Sequence, residues 1–275
     1  MSTTLTAVAV IAVMAGVGLI FGFVLAYVNK KFVTEVNPLI HIVEDILPKA
    51  QCGACGFPGC AAYAQAVVTD PDVQPNRCVP GRAGVAKLVA ELTGKAAAPP
   101  EALVAHVKCA GSKSIALAKY EYKGVEECAA ASLILGGPKL CSNGCIGFGT
   151  CVKACPFDAM YLSEEGLPVV IHDKCVACGK CVAVCPKHVM QLIPLGAHVT
   201  VNCNSKEKGA VTKKACSIGC IGCGLCAKNC PYDAITVKDN LAWVDANVCK
   251  EKCSETTCLA KCPTGAITTA IGYTV

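Results

Sequence analysis

Cysteine runs constrain this chain more than any other feature of its sequence. Cys175, Cys178 and Cys181 are spaced three residues apart and are followed by Cys185 and a proline, which gives the pattern C-x2-C-x2-C-x3-C-P. Three thiolates at steps of three can hold three corners of one iron–sulfur cube, while the fourth cysteine reaches a second cube. The run therefore predicts a pair of [4Fe-4S] clusters arranged as in bacterial ferredoxins.

The chain repeats this unit. The segment CIGFGTCVKACPFDAM from Cys145 aligns with CIGCGLCAKNCPYDAI from Cys220, and CVACGKCVAVCP from Cys175 aligns with CKEKCSETTCLAKCP from Cys249. The offset between the copies is about 75 residues, which indicates a duplicated module. Between the cysteine runs, both copies have the pattern of strand, turn and strand. We therefore expect an α+β fold with two tandem bacterial-ferredoxin-like modules.

Crossed ligation predicts four cluster sites in these modules. The first module is predicted to hold one cluster on Cys155, Cys175, Cys178 and Cys181, and another on Cys141, Cys145, Cys151 and Cys185. The second module is predicted to hold one cluster on Cys220, Cys223, Cys226 and Cys262, and another on Cys230, Cys249, Cys253 and Cys258.

Two of these runs depart from the regular spacing. Phe148 stands where the first run should have a second cysteine, and Cys141 is the nearby substitute. If Phe148 marks a lost ligand, that site would hold a three-iron cluster or none. The run that begins at Cys249 has looser spacing than a ferredoxin run.

A fifth set of cysteines lies nearer the N-terminus. Cys52, Cys55 and Cys60 have the spacing C-x2-C-x4-C in a glycine-rich stretch, and Cys78 follows a helix-like segment. Small residues let the backbone wrap a [4Fe-4S] cube and donate N–H bonds to its sulfurs. Zinc is the alternative for four thiolates, although a single close triad differs from the paired C-x2-C of zinc sites.

Four of the 24 cysteines then remain without a site. They are Cys109, Cys128, Cys203 and Cys216. The segments VKCAGS and VNCNSK, which carry Cys109 and Cys203, resemble each other. These thiols are either free and buried or ligands of a sixth cluster.

The N-terminus carries a membrane anchor. From Leu5 to Val28 the chain has no charged residue, and an apolar helix of that length exceeds the roughly 30 Å hydrocarbon thickness of a bilayer. Lys30 and Lys31 follow the apolar run, so the pattern favours a retained anchor over a cleaved signal peptide and predicts that the remaining chain lies in the cytoplasm. Gly18 and Gly22 form a G-x-x-x-G that predicts packing against another membrane helix.

Composition excludes several classes of protein. Cysteine makes up roughly 9 % of the sequence, a fraction typical of short secreted disulfide scaffolds, but 275 residues are too many for that class. A reducing cytoplasm also argues against disulfides. Five oxidised cubes of about −2 each would turn the formal charge of +5 into about −5, which excludes a basic nucleic-acid binder. No strand-borne G-x-G-x-x-G, P-loop or HExxH is visible, so the chain shows no catalytic site of its own.

A proline- and alanine-rich stretch, GKAAAPPEA, marks the main domain boundary. The predicted domains are an anchor at 1–29, a small helical [4Fe-4S] domain at 30–94, a connecting segment at 95–135, and ferredoxin-like modules at 136–200 and 201–275.

In its order of anchor, CGACGFPGC segment and ferredoxin runs, the chain resembles the B subunit of Rnf-type ion-translocating ferredoxin:NAD oxidoreductase complexes. The resemblance covers essentially the whole chain. It implies an iron–sulfur relay that takes electrons from soluble reduced ferredoxin and passes them to membrane and peripheral partner subunits, which reduce NAD and move Na+ or H+. The C-terminal module is expected to dock ferredoxin, and the Cys52 cluster is expected to be the exit. The alternatives are a polyferredoxin subunit of a hydrogenase- or formate-linked membrane complex and a structural zinc-binding protein.

Overall fold

We describe the chain in a computed structural model that covers residues 3–32, 37–96, 102–253 and 255–269. Helix α1, Thr3–Phe32, ends in Lys30 and Lys31. Its segment Ala7–Lys31 is long and apolar enough to cross a membrane, with a mean hydropathy of 2.7, and none of its most apolar window is buried by other parts of the chain that the structure describes. Side chains added at Gly18 and Gly22 would meet nothing within 4 Å, so this face of α1 is open to another helix.

Three helices form a small membrane-proximal domain. They are α2, Pro38–Ile46, α3, Cys60–Thr69, and α4, Arg82–Thr93. Val43, Tyr63, Val67 and Val89 are fully or almost fully buried between them. Asn37 caps α2 by accepting a hydrogen bond from the Leu39 N–H, which satisfies a free donor in the first turn.

The first ferredoxin-like module has seven elements. They are β1 Leu103–Val107, α5 Cys128–Leu133, α6 Thr150–Lys153, β2 Met160–Leu162, β3 Pro168–Val170, α7 Lys180–Ala183 and β4 Met190–Pro194. The first and last strands pair antiparallel, with Leu103 opposite Pro194, and β2 and β3 form a hairpin between them. Strand β1 falls within the connecting segment predicted at 95–135, so we propose that this module begins near residue 102 and not at 136.

The second module repeats this plan. Its elements are β5 Val199–Val201, α8 Gly209–Ala215, α9 Leu225–Lys228, β6 Ile235–Lys238, β7 Leu241–Val244, α10 Ala246–Lys252, α11 Thr257–Ala260 and β8 Ile267–Thr269. Strands β5 and β8 close the module, and β6 and β7 form its hairpin. The predicted α+β class, with two tandem ferredoxin-like modules after an apolar helix and a small helical domain, is confirmed.

The two modules are joined by backbone hydrogen bonds. The Ala110 N–H donates to the Asn202 carbonyl at 3.0 Å, and the Leu117 N–H donates to the Ala215 carbonyl at 3.0 Å. The Lys108 ammonium also lies 3.3 Å from the centroid of the Trp243 ring, a cation–π contact across the junction. The modules therefore share a packed interface.

The core of the second module is made largely of small and sulfur-containing side chains. Eight of its thirteen buried residues are cysteine or alanine. Large aromatic side chains, which fill most protein cores, are absent from this buried set. The cysteine sites therefore lie inside the modules and take the place of an ordinary apolar core.

Candidate iron–sulfur cluster sites

The same local backbone geometry recurs after four of the cysteines. Each of Cys155, Cys185, Cys230 and Cys262 is followed by proline, and the third residue after each cysteine has a positive φ. These third residues are Asp158 at 47°, His188 at 51°, Asp233 at 52° and Gly265 at 68°. A left-handed residue reverses the chain within a short distance. The duplicated sequence thus builds the same turn four times.

The membrane-proximal site contains the four cysteines that the sequence predicts. Cys52, Cys55, Cys60 and Cys78 line one recess of about 330 Å³. Burial raises the pKa of the Cys78 thiol to about 11, and the nearby Cys60, Cys55 and Cys52 add to the shift. A thiol such as Cys78, which resists ionisation, becomes a ligand when a bound cation stabilises its thiolate.

The Cys178 site in the first module also has its predicted members. Burial raises the pKa of the Cys181 thiol to about 11, and Cys175, Cys178 and Cys155 raise it further. The Ala105 N–H donates to the Cys175 sulfur at 3.4 Å, so β1 supplies a hydrogen bond to this site.

Both predicted sites of the second module are assembled as well. Cys220, Cys223, Cys226 and Cys262 line a recess of about 330 Å³. At the other site, burial raises the pKa of the Cys258 thiol to about 11, and Cys249, Cys253 and Cys230 contribute. The loosely spaced run from Cys249 therefore still brings its four thiols together.

Cys262 is an exception among these thiols. Burial acts to raise its pKa, but N–H groups of Thr264, Ile267 and Ala266 favour the thiolate, and the net pKa is lowered. Backbone donors that stabilise a thiolate also stabilise the sulfur of a bound cluster. This site is thus preorganised for an anionic ligand.

The remaining site of the first module differs from the sequence prediction. Cys128 joins Cys145, Cys151 and Cys185 around a recess of about 380 Å³, and Cys141 is not among its lining residues. Burial raises the pKa of the Cys151 thiol to about 12, and Cys128 is the neighbour that raises it most. The fourth thiol therefore comes from α5, at the position that a regular run would fill from residue 148.

Two contacts hold α5 at this position. The Cys128 N–H donates to the Thr150 hydroxyl at 2.9 Å. The Phe148 ring lies 5.3 Å, centroid to centroid, from the Tyr122 ring in the segment that leads into α5. Phe148 therefore packs against the segment that brings in the substitute cysteine.

A signal in the sequence could have identified this substitution. Cys141 lies in KLCSNGC and Cys216 in KACSIGC, at equivalent places in the two copies. The second module has four ligands for its matching site without Cys216, so Cys141 was not needed in the first. The structure places Cys141 with Cys109, Cys203 and Cys216 between the modules.

The five sites fit [4Fe-4S] clusters better than zinc. Each presents four thiols, and a backbone N–H group reaches a sulfur in each of them. Thiolates lie about 2.3 Å from a bound zinc ion, which requires a contracted group. Within residues 3–32, 37–96, 102–253 and 255–269, no three histidine, cysteine or acidic side chains are arranged to hold a single ion. The recesses suit a larger group, such as a cube of iron and sulfide.

Family models match three parts of the chain. Residues 47–80 match a putative Fe-S cluster domain, residues 144–190 match a 4Fe-4S dicluster domain, and residues 219–236 match a 4Fe-4S binding domain. These segments carry most of the cysteines in the five sites. They support iron–sulfur clusters as the cofactors of this chain.

Curated relatives match nearly the whole chain. The B subunit of the proton-translocating ferredoxin:NAD(+) oxidoreductase complex of Clostridium ljungdahlii is 59% identical over 98% of this chain and 94% of its own length. The B subunit of the ion-translocating oxidoreductase complex of Methanosarcina acetivorans is 43% identical over 94% of this chain and 96% of its own length. The B subunit of the Na(+)-translocating ferredoxin:NAD(+) oxidoreductase complex of Acetobacterium woodii is 42% identical over 96% of this chain and 78% of its own length. The chain therefore belongs to the family of B subunits of ion-translocating ferredoxin:NAD oxidoreductase complexes.

Proposed function

We propose that this chain takes electrons from reduced ferredoxin and passes them to membrane partners, which reduce NAD and translocate Na+ or H+. The five cysteine sets described above hold [4Fe-4S] clusters, each of which takes up or releases one electron at a time. The chain's own residues fix the clusters and tune their potentials through burial and N–H bonds. Relatives named as ferredoxin:NAD oxidoreductase subunits support this activity over a hydrogenase- or formate-linked one.

The observation that carries the proposal is that neighbouring sites are close enough to interact. Burial raises the pKa of the Cys178 thiol, and Cys52 of the membrane-proximal site raises it further. The Arg82 guanidinium donates to the Cys175 carbonyl at 3.0 Å and ties the same two sites together. Within the first module, Cys181 contributes to the raised pKa of Cys151. These contacts support a path for electrons from site to site within the protein.

The ends of the relay follow from exposure and from the anchor. Cys223 is the one exposed cysteine among the described residues, which supports ferredoxin docking on the second module. The Cys52 site lies on the domain that follows α1 in the chain, which supports electron exit there. Lys30 and Lys31 support a cytoplasmic location for the soluble domains.

The test uses the purified complex with all its subunits. Cys60→Ala should remove the exit cluster and abolish ferredoxin-dependent NAD reduction. It should leave NADH-dependent dye reduction by the partner subunits intact, which controls for assembly. Reduced ferredoxin should still bleach the visible absorption of the remaining clusters in this chain. Unchanged ferredoxin-dependent NAD reduction in the variant, or no bleaching in the wild type, would refute the proposed direction.

The orientation has a separate test. Whole cells and inverted membrane vesicles are treated with a membrane-impermeant protease, and the soluble domains should be digested only in the inverted vesicles. Digestion in intact cells would place these domains on the outer side and contradict the charge argument.

A further inference from the structure

Four thiols outside the five sites lie together at the junction of the two modules. They are Cys109, Cys141, Cys203 and Cys216. We propose that they hold a sixth [4Fe-4S] cluster, shared between the modules. The proposal rests on the electron-relay function given above and extends it to a site that no ferredoxin run encodes.

The duplication supplies this site with two equivalent pairs of ligands. Cys141 in KLCSNGC corresponds to Cys216 in KACSIGC, and Cys109 in VKC corresponds to Cys203 in VNC. Each module thus contributes one cysteine of each kind. The duplication thus supplies the junction with four thiols in two equivalent pairs.

Two glycines show how closely the sulfurs approach. A Cβ added at Gly111 would lie 3.5 Å from the Cys216 sulfur and 3.7 Å from the Cys109 sulfur. A Cβ added at Gly144 would lie 3.5 Å from the Cys141 sulfur and again 3.7 Å from the Cys109 sulfur. Cys109 is therefore a near neighbour of both Cys141 and Cys216, and the lack of a side chain at Gly111 and Gly144 leaves space beside the three sulfurs.

A backbone contact brings the fourth thiol, Cys203, to the group: the Ala110 N–H, next to Cys109, donates to the carbonyl of Asn202, next to Cys203, at 3.0 Å. The pKa of the Cys203 thiol is raised to about 11 by burial, and Cys109 is the neighbouring thiol that adds most. Cys109, Cys203 and Cys216 are all buried.

Backbone N–H groups already point at two of these sulfurs. The Cys145 N–H donates to the Cys109 sulfur at 3.3 Å, and the Ser205 N–H donates to the Cys203 sulfur at 3.5 Å. Hydrogen bonds of this kind stabilise the sulfurs of bound clusters. The group therefore has the donor set and the N–H contacts of the five other sites.

Buried positive charge provides the strongest argument. Lys139 and Lys108 are 9 % and 5 % exposed, and the ion pairs found among the described residues involve neither of them. Lys139 favours the thiolates of Cys141 and Cys216, and Lys108 interacts with the thiols of Cys203 and Cys220. A buried ammonium is costly unless an anion accompanies it. An oxidised cube with four thiolates carries about −2 and supplies that anion.

The site also fills a gap in the relay. Cys109 lies next to Cys145 of the first module, because its sulfur accepts a hydrogen bond from the Cys145 N–H. Cys203 lies next to Cys220 of the second module, whose backbone N–H hydrogen-bonds to the Cys203 sulfur. The sixth site is therefore the connection between the two modules, and an electron that enters the second module reaches the first through it.

Loading the site is a ligand exchange and involves no redox change. Four thiols of the site form iron–sulfur bonds to a preassembled [4Fe-4S]2+ core, the bonds between the core and the thiolates of its donor break, and the released thiolates take up the protons while the core keeps its oxidation level. The donor of that core is a cluster-assembly scaffold, a protein that carries a preformed cube.

The first test measures iron and acid-labile sulfide in the full-length chain, purified anaerobically in detergent. Six cubes give about 24 irons per chain and five give about 20. The double variant Cys109→Ser, Cys216→Ser should lose about one sixth of the iron and sulfide. A wild-type value near 20, or no loss in the variant, overturns the sixth site while leaving the proposed function intact. Absence of iron and sulfide would instead refute both.

A second test does not require a ligand to be removed. Lys139→Met takes away the buried charge beside the site, whereas Lys214→Met, at the equivalent but exposed position of the second copy, is the matched control. In EPR-monitored redox titrations, Lys139→Met should lower the midpoint potentials of two cluster signals, those of the sixth site and of the Cys145 site, because Lys139 favours the thiolates of both and the more negative reduced states lose a nearby cation. Lys214→Met should leave all the potentials unchanged. Equal behaviour of the two variants, or a shift confined to one signal, would overturn the proposal even if the double cysteine variant failed to fold.

Discussion

The substitution of Cys128 for a ligand at position 148 gives the sharpest prediction. Cys128→Ala should remove one of four thiolates from the site formed with Cys145, Cys151 and Cys185, and leave a three-iron cluster. EPR of the oxidised protein should then show one new three-iron signal per chain, which the wild type lacks. Cys141→Ala is the control, because Cys141 lies outside this recess, and it should leave this cluster unchanged.

The rescue is more informative than the loss. Adding Phe148→Cys to Cys128→Ala restores the regular ferredoxin spacing, and we expect the four-iron cluster to return. The new cysteine loses the contact between the Phe148 and Tyr122 rings, 5.3 Å apart. An aromatic pair contributes about 0.5–1.5 kcal/mol beyond burial, which corresponds to a fall of a few degrees in apparent Tm for a chain of this size.

The outcome that would refute this reasoning is specific. A three-iron signal in Cys141→Ala, with an intact cluster in Cys128→Ala, would restore the ligand set expected from spacing alone. Failure of Phe148→Cys to rescue Cys128→Ala would mean that residue 148 does not face the recess.

Three further predictions concern the backbone, pH and the anchor. Gly222→Ala should lower the free energy of unfolding by about 1–3 kcal/mol more than Gly224→Ala and should lose more iron. Both glycines have positive φ, but a Cβ at Gly222 would lie 2.7 Å from the Asn240 carbonyl oxygen, whereas one at Gly224 would meet nothing within 4 Å. Equal losses of iron in the two variants would contradict the steric argument. Burial lowers the pKa of His106, whose Nε2 lies 2.9 Å from Asn202 Oδ1, so the contribution of neutral His106 to stability is present above about pH 6.5 and is lost as the pH falls. Between pH 8 and 5.5 the apparent Tm should therefore drop more in the wild type than in His106→Gln. Parallel curves of Tm against pH for the two proteins would contradict this role of His106. Deleting residues 1–31 should release the chain from membranes with its iron content unchanged, because the apolar window of α1 is not buried against the other described residues. Loss of iron would show that the anchor supports the fold.

Much of the architecture could be predicted because the cysteine spacing and the duplication are local patterns. Both segments predicted as strand, turn and strand form hairpins. Four of the five predicted cysteine sets come together in the structure. Two of these sets follow regular ferredoxin runs with crossed ligation, one follows the looser run from Cys249, and one is the local C-x2-C-x4-C set completed by Cys78.

The rest depends on contacts between distant segments, which spacing does not encode. Cys128 reaches its site on a helix that precedes the first run, held by a hydrogen bond to Thr150. Strand β1 pairs with β4 across most of the first module, although its sequence was predicted to be a connection. The junction of Cys109 and Cys203 depends on how two folded modules pack, as in the hydrogen bond between Ala110 and Asn202.

The small side chains that line the second module have a consequence for the life of the protein in the cell. With eight cysteines and alanines among its thirteen buried residues, this module has too little apolar mass to hold together by itself. Folding and cofactor insertion must then occur as one event. We expect chains made during iron starvation to remain open and to be degraded by cellular proteases. The supply of iron and sulfide would then set the abundance of the protein after translation, independently of how much of it is synthesised.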